Sequence, residues 1–268
     1  MTNVYCYCII ENADETTGTV GTVPKVTGMD GNYGLYSIPY RNLNMLVSRV
    51  SEDEFSESKL NDAIEDIAWL GRHATLHEKI VESVMNVHSP LLPMKFCTIY
   101  SEEAYIKKLL EKNYSTFTDA INYLKDKVEY GVKVYVECSA FRNKMNNSLH
   151  NQFETMDSND SGRDYLLKRK AKKLIQENLL AEISTRIKMI HSIISEWSTE
   201  SVPNKMLNIG NKTSGEIQVQ NFSYLIENEY LDRFLRVIKE INNRHSHEGL
   251  KLMTSGPWPP YNFSPKIN

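Results

Sequence analysis

Between Tyr130 and Gly256 the chain alternates strand-like and helix-like segments in the order β-α-β-β-α-β, and few folds accommodate that order. The run YGVKVYVE opens it, with Val132, Val134 and Val136 spaced by two so that their side chains project to one face of a strand. Farther on, Ile183, Ile187, Ile190, Ile194 and Trp197 recur at alternating spacings of four and three, the period of one helix face. Asp160 or Ser161 can cap this helix, which predicts a run to about Glu200, roughly 55–60 Å at 1.5 Å per residue. One small sheet does not cover that length, so either the first turns project and pack elsewhere or the helix breaks. After Pro203, KMLNIG and GEIQVQNFSYLI read as strands around the turn NKTSG. Tyr230, Leu231, Phe234, Leu235, Ile238 and Ile241 then form the apolar stripe of a second helix, and GLKLMTSG supplies the last strand. This connectivity is that of the ferredoxin-like split βαβ fold, with two helices on one face of an antiparallel sheet.

The preceding residues follow a different order. Val4 to Ile10 reads as a strand running into the polar segment ENADETTGTVGT, and GMDGNYG supplies turn chemistry. The runs GLYSIPY and LNMLVSRV are strands joined through Arg41–Asn42, with Leu43, Met45 and Val47 alternating along the second. From Ser58 the pattern becomes helical. Ala63, Ile67, Leu70, Ala74, His77, Val81 and Val84 mark one stripe, Trp69, His73, Leu76 and Ile80 a second beside it, and Ser89–Pro90 ends the helix. SPLLPMKFCTIY reads as a strand, and Ser101-Glu102-Glu103 as the start of a helix reaching about Lys127. The element order therefore reads as α+β, mixed over 1–127 and ferredoxin-like with a long helix over 128–256, carrying a polar insertion at about 142–161.

A chain of 268 residues, 41% hydrophobic and 24% charged, is long enough for two domains or one large one. Its net charge of −3 supplies no overall basic field for nucleic acid. The four cysteines, Cys6, Cys8, Cys97 and Cys138, lie in apolar, β-rich segments without CxxC spacing, which predicts buried free thiols in a reducing compartment. The start VYCYCII lacks the basic lead and long apolar run of a signal peptide, and no stretch reaches the ~18 apolar residues of a membrane span, so the reading is soluble and cytoplasmic.

His73 and His77 stand four apart in GRHATLHEK, a spacing that can place two imidazoles on one metal. Both fall inside apolar stripes without the HExxH glutamate, which favours buried histidines satisfied by hydrogen bonds. His245 and His247 fall at a helix end, where a cation suits the dipole. No GxSxG, P-loop or cysteine–histidine signature is present, so no residue is assigned a catalytic, cofactor-binding or metal-binding role. Lys168, Arg169, Lys170, Lys172 and Lys173 form the one dense basic run and a candidate partner-binding patch, although such runs are usually solvated helix faces. Residues 257–268 contain Pro257, Trp258, Pro259, Pro260, Tyr261 and Phe263; a tail left in water rarely carries so much aromatic surface, which predicts a structural strap folded back on the protein with Trp258 substantially buried. A WPP ligand for an SH3-type groove is the competing reading.

Taken in order, VYCYCII, GMDG, LVSRV, WLGRHATLHEKIVESV, SPLLPMKFCTIYSEEA, EYGVKVYVE, GRDYLLKRK, NFSYLI and LMTSGPWPPYNF resemble the gas vesicle GvpL/GvpF family over essentially the whole chain. Cys97 departs from the glycine common in that family, and the Asn-rich stretch from Asn143 to Ser158 is a variable insertion. The resemblance implies a non-enzymatic, cytoplasmic accessory protein associated with gas vesicles, built as two domains: an α+β N-terminal domain over 1–127 and a modified ferredoxin-like C-terminal domain over 128–256. It would assist shell assembly by binding the shell protein, other accessory proteins, or both, with neither nucleic acid nor membrane as partner and no cofactor. The alternative from the fold alone is a ferredoxin-like regulatory module that binds a small molecule.

Overall fold

A computed structural model describes residues 2–12, 23–63, 65–137, 139–140, 161–205 and 216–266, with the backbone alone for 161–172 and 174–176. The chain divides into two compact units, one formed by Met1–Val128 with Pro257–Asn268 and the other by Glu129–Gly256.

The first unit is built on β1 (Thr2–Glu11), β2 (Tyr36–Tyr40), β3 (Leu43–Ser51), β4 (Leu91–Pro93) and β5 (Ile99–Tyr100). The sheet order is β2-β3-β1-β4, with β5 also paired to β1, and these pairings are antiparallel. β1 is therefore central, and Val4 to Ile10 are all buried. A register shift between Cys6 and Cys8 inserts an extra residue opposite β3. Strict alternation would put Tyr5 and Tyr7 on one face and Cys8 and Ile10 on the other. The bulge changes the phase, so all four join one apolar cluster with Leu46, Val50, Phe55 and Val81.

Helices α1 (Glu52–Phe55), α2 (Glu57–Ala63) and α3 (Ile67–Met85) follow β3. The single helix expected from Ser58 is thus interrupted, because Asp66 caps α3: its carboxylate accepts the Ala68 and Trp69 amides at 2.8 and 3.2 Å. Ile67, assigned to the apolar stripe, is the first residue of α3 and is 84% exposed. The strand expected through SPLLPMKFCTIY also divides, into β4 and β5, because the intervening Cys97 adopts φ 62°. α4 (Glu103–Lys112) and α5 (Tyr114–Leu124) replace the single helix expected to Lys127. Asn113 breaks it with φ −111° and ψ 17°. Glu102 is the N-cap of α4 and makes no side-chain capping bond.

The second unit carries β6 (Lys127–Glu137), α6 (Ser161–Ser195), β7 (Glu200–Pro203), β8 (Glu216–Glu227), α7 (Leu231–His245) and β9 (Leu250–Trp258), in the sheet order β7-β8-β6-β9. β7 and β8 pair antiparallel. Tyr224 of β8 meets both His191 of α6 and Phe234 of α7, so the two helices lie over the same face. Leu179, Ile183, Ile190 and Ile194 of α6, Phe234, Val237, Ile238 and Ile241 of α7, and Val132, Val134 and Val136 of β6 are all buried. α6 ends at Ser195 rather than Glu200; Trp197 lies beyond it, under the Arg233 guanidinium at 5.0 Å. The strand that returns after α6 is β7; residues 206–210 of KMLNIG lie outside the described residues with the turn NKTSG. The insertion at about 142–161 likewise falls almost entirely outside them.

Candidate functional site

The histidine pair singled out in the sequence divides between two environments. His77 is buried between β1 and the segment after β4. Its Nδ1 lies 3.0 Å from the Tyr5 hydroxyl and its Nε2 3.1 Å from the Met94 carbonyl. A carbonyl only accepts, so Nε2 carries the proton and Nδ1 accepts from Tyr5. The Tyr5 oxygen in turn accepts the Cys97 amide at 2.9 Å. Burial lowers the His77 pKa to about 4, so the neutral ring is the form this site holds. Beside it, the Tyr7 hydroxyl accepts the Met29 amide at 2.8 Å and bonds Ser48 Oγ at 2.7 Å. Burial raises its pKa to about 12. Met29 belongs to the turn GMDGNYG, which packs so closely on β3 that a Cβ at Gly28 would stand 2.3 Å from Ser48 Oγ. That glycine serves backbone approach, not phosphate binding.

His73 points elsewhere. Nδ1 bonds the Trp69 carbonyl at 2.9 Å, Nε2 lies 3.4 Å from Glu54 Oε1, and the ring stacks on Trp69 with centroids 4.0 Å apart. The two imidazoles therefore do not converge, and among the described residues no group of three potential ligands could hold a metal. The network has two hydrogen-bonded sets, His77–Tyr5–Cys97 and Tyr7–Ser48–Met29, joined where the Tyr7 ring stacks on His77, and the buried histidine expected from the sequence finds its partners there. Its signal is VYCYC, where two tyrosines alternate in a strand that is otherwise wholly apolar.

The remaining candidates are scattered. In the basic run, Lys168, Arg169, Lys170 and Lys172 lie where only the backbone is described; Lys173 is exposed and 3.7 Å from Glu177. His245 Nδ1 lies 3.0 Å from Glu248 Oε2, and the same carboxylate binds Arg186 of α6, which also reaches Glu182 at 2.8 Å. This charged cluster ties α6 to the turn after α7. Arg186 and Glu248 stand 62 residues apart in the chain, a separation that no local motif spans.

Residues 257–268 group with the first unit. Pro257 and Trp258 continue β9 and Trp258 is half-buried, short of the deep burial expected; Pro259 and Phe263 are the buried residues. A tight turn orders them: Tyr261 and Phe263 donate amides to Pro259 and Pro260 at 2.7 and 3.2 Å. The Tyr261 ring lies 6.4 Å from that of His77, and burial together with the Glu78 carboxylate pushes its phenol well above the usual range.

Each sheet ends in edge strands. β2 is an edge of the first sheet, and β7 and β9 are the edges of the second. Along β9, Leu250 and Leu252 are buried while Lys251 and Met253 are exposed. Leu180 and Met189 of α6 and Ile217 of β8 are further exposed apolar side chains. Cys6 and Cys8 are buried, Cys97 is half-buried, and all three are free thiols; Cys138 lies outside the described residues. Among the described residues no helix is long and apolar enough to cross a membrane.

Comparison with known proteins gives a consistent set. The family model described as "Gas vesicle synthesis protein GvpL/GvpF" matches residues 3–265. Gas vesicle protein L of a Streptomyces species is 24% identical over 240 residues, 88% of this chain and 86% of that one. Gas vesicle protein L1 of Halobacterium salinarum is 22% identical, covering 98% of this chain and 90% of that one. Among solved structures, that of gas vesicle protein GvpF from an Anabaena species shares the fold, with a TM-score of 0.70 at 18% identity, covering 100% of this chain and 98% of that one. GvpF from Microcystis aeruginosa also shares it, at a TM-score of 0.66 and 18% identity, covering 98% of this chain and 99% of that one.

Proposed function

Because the chain belongs to the gas vesicle synthesis protein GvpL/GvpF family, we propose that it is a non-enzymatic accessory protein that assists assembly of the gas vesicle shell by binding the shell protein, other accessory proteins, or both. The family match over residues 3–265 carries this reading. Its physical rationale is that a shell subunit with apolar surfaces aggregates unless it is held until it reaches the growing wall. Exposed sheet edges and apolar side chains are the features by which a carrier holds such a subunit transiently. β9, Leu180, Met189, Ile217 and Met253 provide features of that kind.

Under this reading the protein acts in the cytoplasm and at the vesicle, with no nucleic acid or membrane as partner. We read 128–256 as the modified ferredoxin-like domain, 1–127 as the N-terminal α+β domain and 257–268 as the strap. The order β-α-β-β-α-β and two helices on one sheet face support the ferredoxin-like assignment. The basic run from Lys168 to Lys173 remains a proposed contact for an acidic protein surface.

The test is direct binding between the purified chain and the purified shell protein, by calorimetry and pull-down, with and without the other accessory proteins. Saturable binding is expected. Absence of binding to the shell protein under both conditions, together with absence of binding to the other accessory proteins, refutes the proposal.

A further inference from the structure

The hairpin between β2 and β3 turns on Arg41–Asn42, and Arg41 adopts φ 53°. Asparagine and glycine are the residues that tight hairpins favour in this left-handed conformation. The turn by itself therefore gives no reason for an arginine, and a strained position occupied against local preference points to a use beyond the turn.

The surroundings show what that use is. The Arg41 guanidinium carbon lies 4.7 Å from the centre of the Tyr114 ring and 5.5 Å from that of Tyr40. The two rings meet edge to face, with centroids 6.0 Å apart. Tyr114 is itself anchored: its hydroxyl donates to Asn42 Oδ1 at 2.6 Å, and Asn42 Nδ2 donates to Glu11 Oε1 at 2.6 Å. Glu11, the carboxylate of this network, is thus bonded to Asn42. Arg41 is exposed, and among the described residues no carboxylate pairs with it. A planar cation held against two aromatic rings has already lost much of its rotamer freedom, so binding a planar anion orders little more. Tyrosine and arginine are also the residue types enriched among those that dominate protein interfaces.

We propose that Tyr40, Arg41 and Tyr114 form an anchor for a carboxylate in an acidic segment of a protein partner. The inference rests on the reading that the chain works by binding protein, and it names the chemistry of one contact. A single guanidinium matches one carboxylate in a two-bond fork. A chain of net charge −3, with Glu11 within the same network, lacks the extended basic track that a phosphate backbone requires.

Binding of a fluorescein-labelled hexaglutamate peptide, followed by anisotropy at low salt, tests the anchor in the full-length chain. Arg41→Gly is expected to weaken binding at least tenfold while the melting temperature holds or rises, because glycine relieves the left-handed backbone. Arg41→Lys, which keeps the charge and loses the fork, falls between. A stack that served stability alone would do the reverse, lowering the melting temperature and leaving binding unchanged. No saturable binding by the wild type, equal binding by Arg41→Gly, or tighter binding of a six-nucleotide oligothymidine would each overturn the anchor. The same two chains are then titrated with the shell protein. A tenfold loss in Arg41→Gly supports the anchor as a shell contact, whereas equal binding overturns that contact and leaves shell binding intact. Failure of the wild type to bind the shell protein refutes the functional reading alone, with the hexaglutamate titration still deciding the anchor.

Discussion

Acidification is predicted to act on the first unit through His77. The neutral ring accepts from Tyr5 at Nδ1 and donates to Met94 at Nε2, so a second proton would set an N–H against the hydroxyl hydrogen of Tyr5. Turning that hydroxyl away is opposed by the Cys97 amide, which already binds its oxygen. Burial, the dominant cause, lowers the pKa from 6.5 to about 4. In the unfolded chain the ring titrates near its ordinary value, so below pH 6.5 the unfolded state takes up the proton first. The stability linked to the neutral ring is thus fully present above about pH 6.5, declines as pH falls, and levels off below about pH 4. At ~1.36 kcal/mol per pH unit, that interval amounts to roughly 3 kcal/mol. The assay is urea denaturation of the wild type and His77→Gln from pH 7.5 to 4. Other titrating groups are common to both proteins, so the wild-type curve is predicted to fall about 3 kcal/mol further than that of the variant. Parallel curves would refute the reasoning.

Three substitutions test packing and backbone. Cys97→Gly places glycine at φ 62° and is predicted to stabilise the protein by about 0.5–1 kcal/mol, a gain in thermal melting that a decrease would contradict. In the strap, Phe263→Ala is predicted to cost about 3 kcal/mol or more and Trp258→Ala clearly less, because Phe263 is buried and Trp258 half-buried; the reverse order in denaturant titrations would contradict that placement.

Periodic segments were legible and their interruptions were not. Val132, Val134 and Val136 announced β6, and Phe234, Ile238 and Ile241 announced α7, because an apolar face repeats with the geometry of its element. The apolar stripe through Ile67 misled because Asp66 starts a new helix at that point, leaving the isoleucine in an exposed first turn. Asn113 was invisible because its flanks both read as helix, and one residue outside the helical region suffices to divide them. The bulge at Tyr7 inverts the facing of half of β1, a property of the pairing partner that alternation along one strand does not encode. At Cys97 the strand reading fails because one residue at φ 62° divides the run, and the β-forming residues on both sides of it hide the break. The buried network of Tyr5, Tyr7 and His77 joins residues about 70 apart in sequence, a separation that places it beyond any motif.

The central claim, that this chain assists assembly of the gas vesicle shell, is tested most directly in a host that makes vesicles with this chain as its sole member of the family. Deleting its coding sequence and counting vesicles by electron microscopy is predicted to show their loss, with recovery when the intact chain is supplied in trans. Vesicles of normal number and shape in its absence would contradict the account.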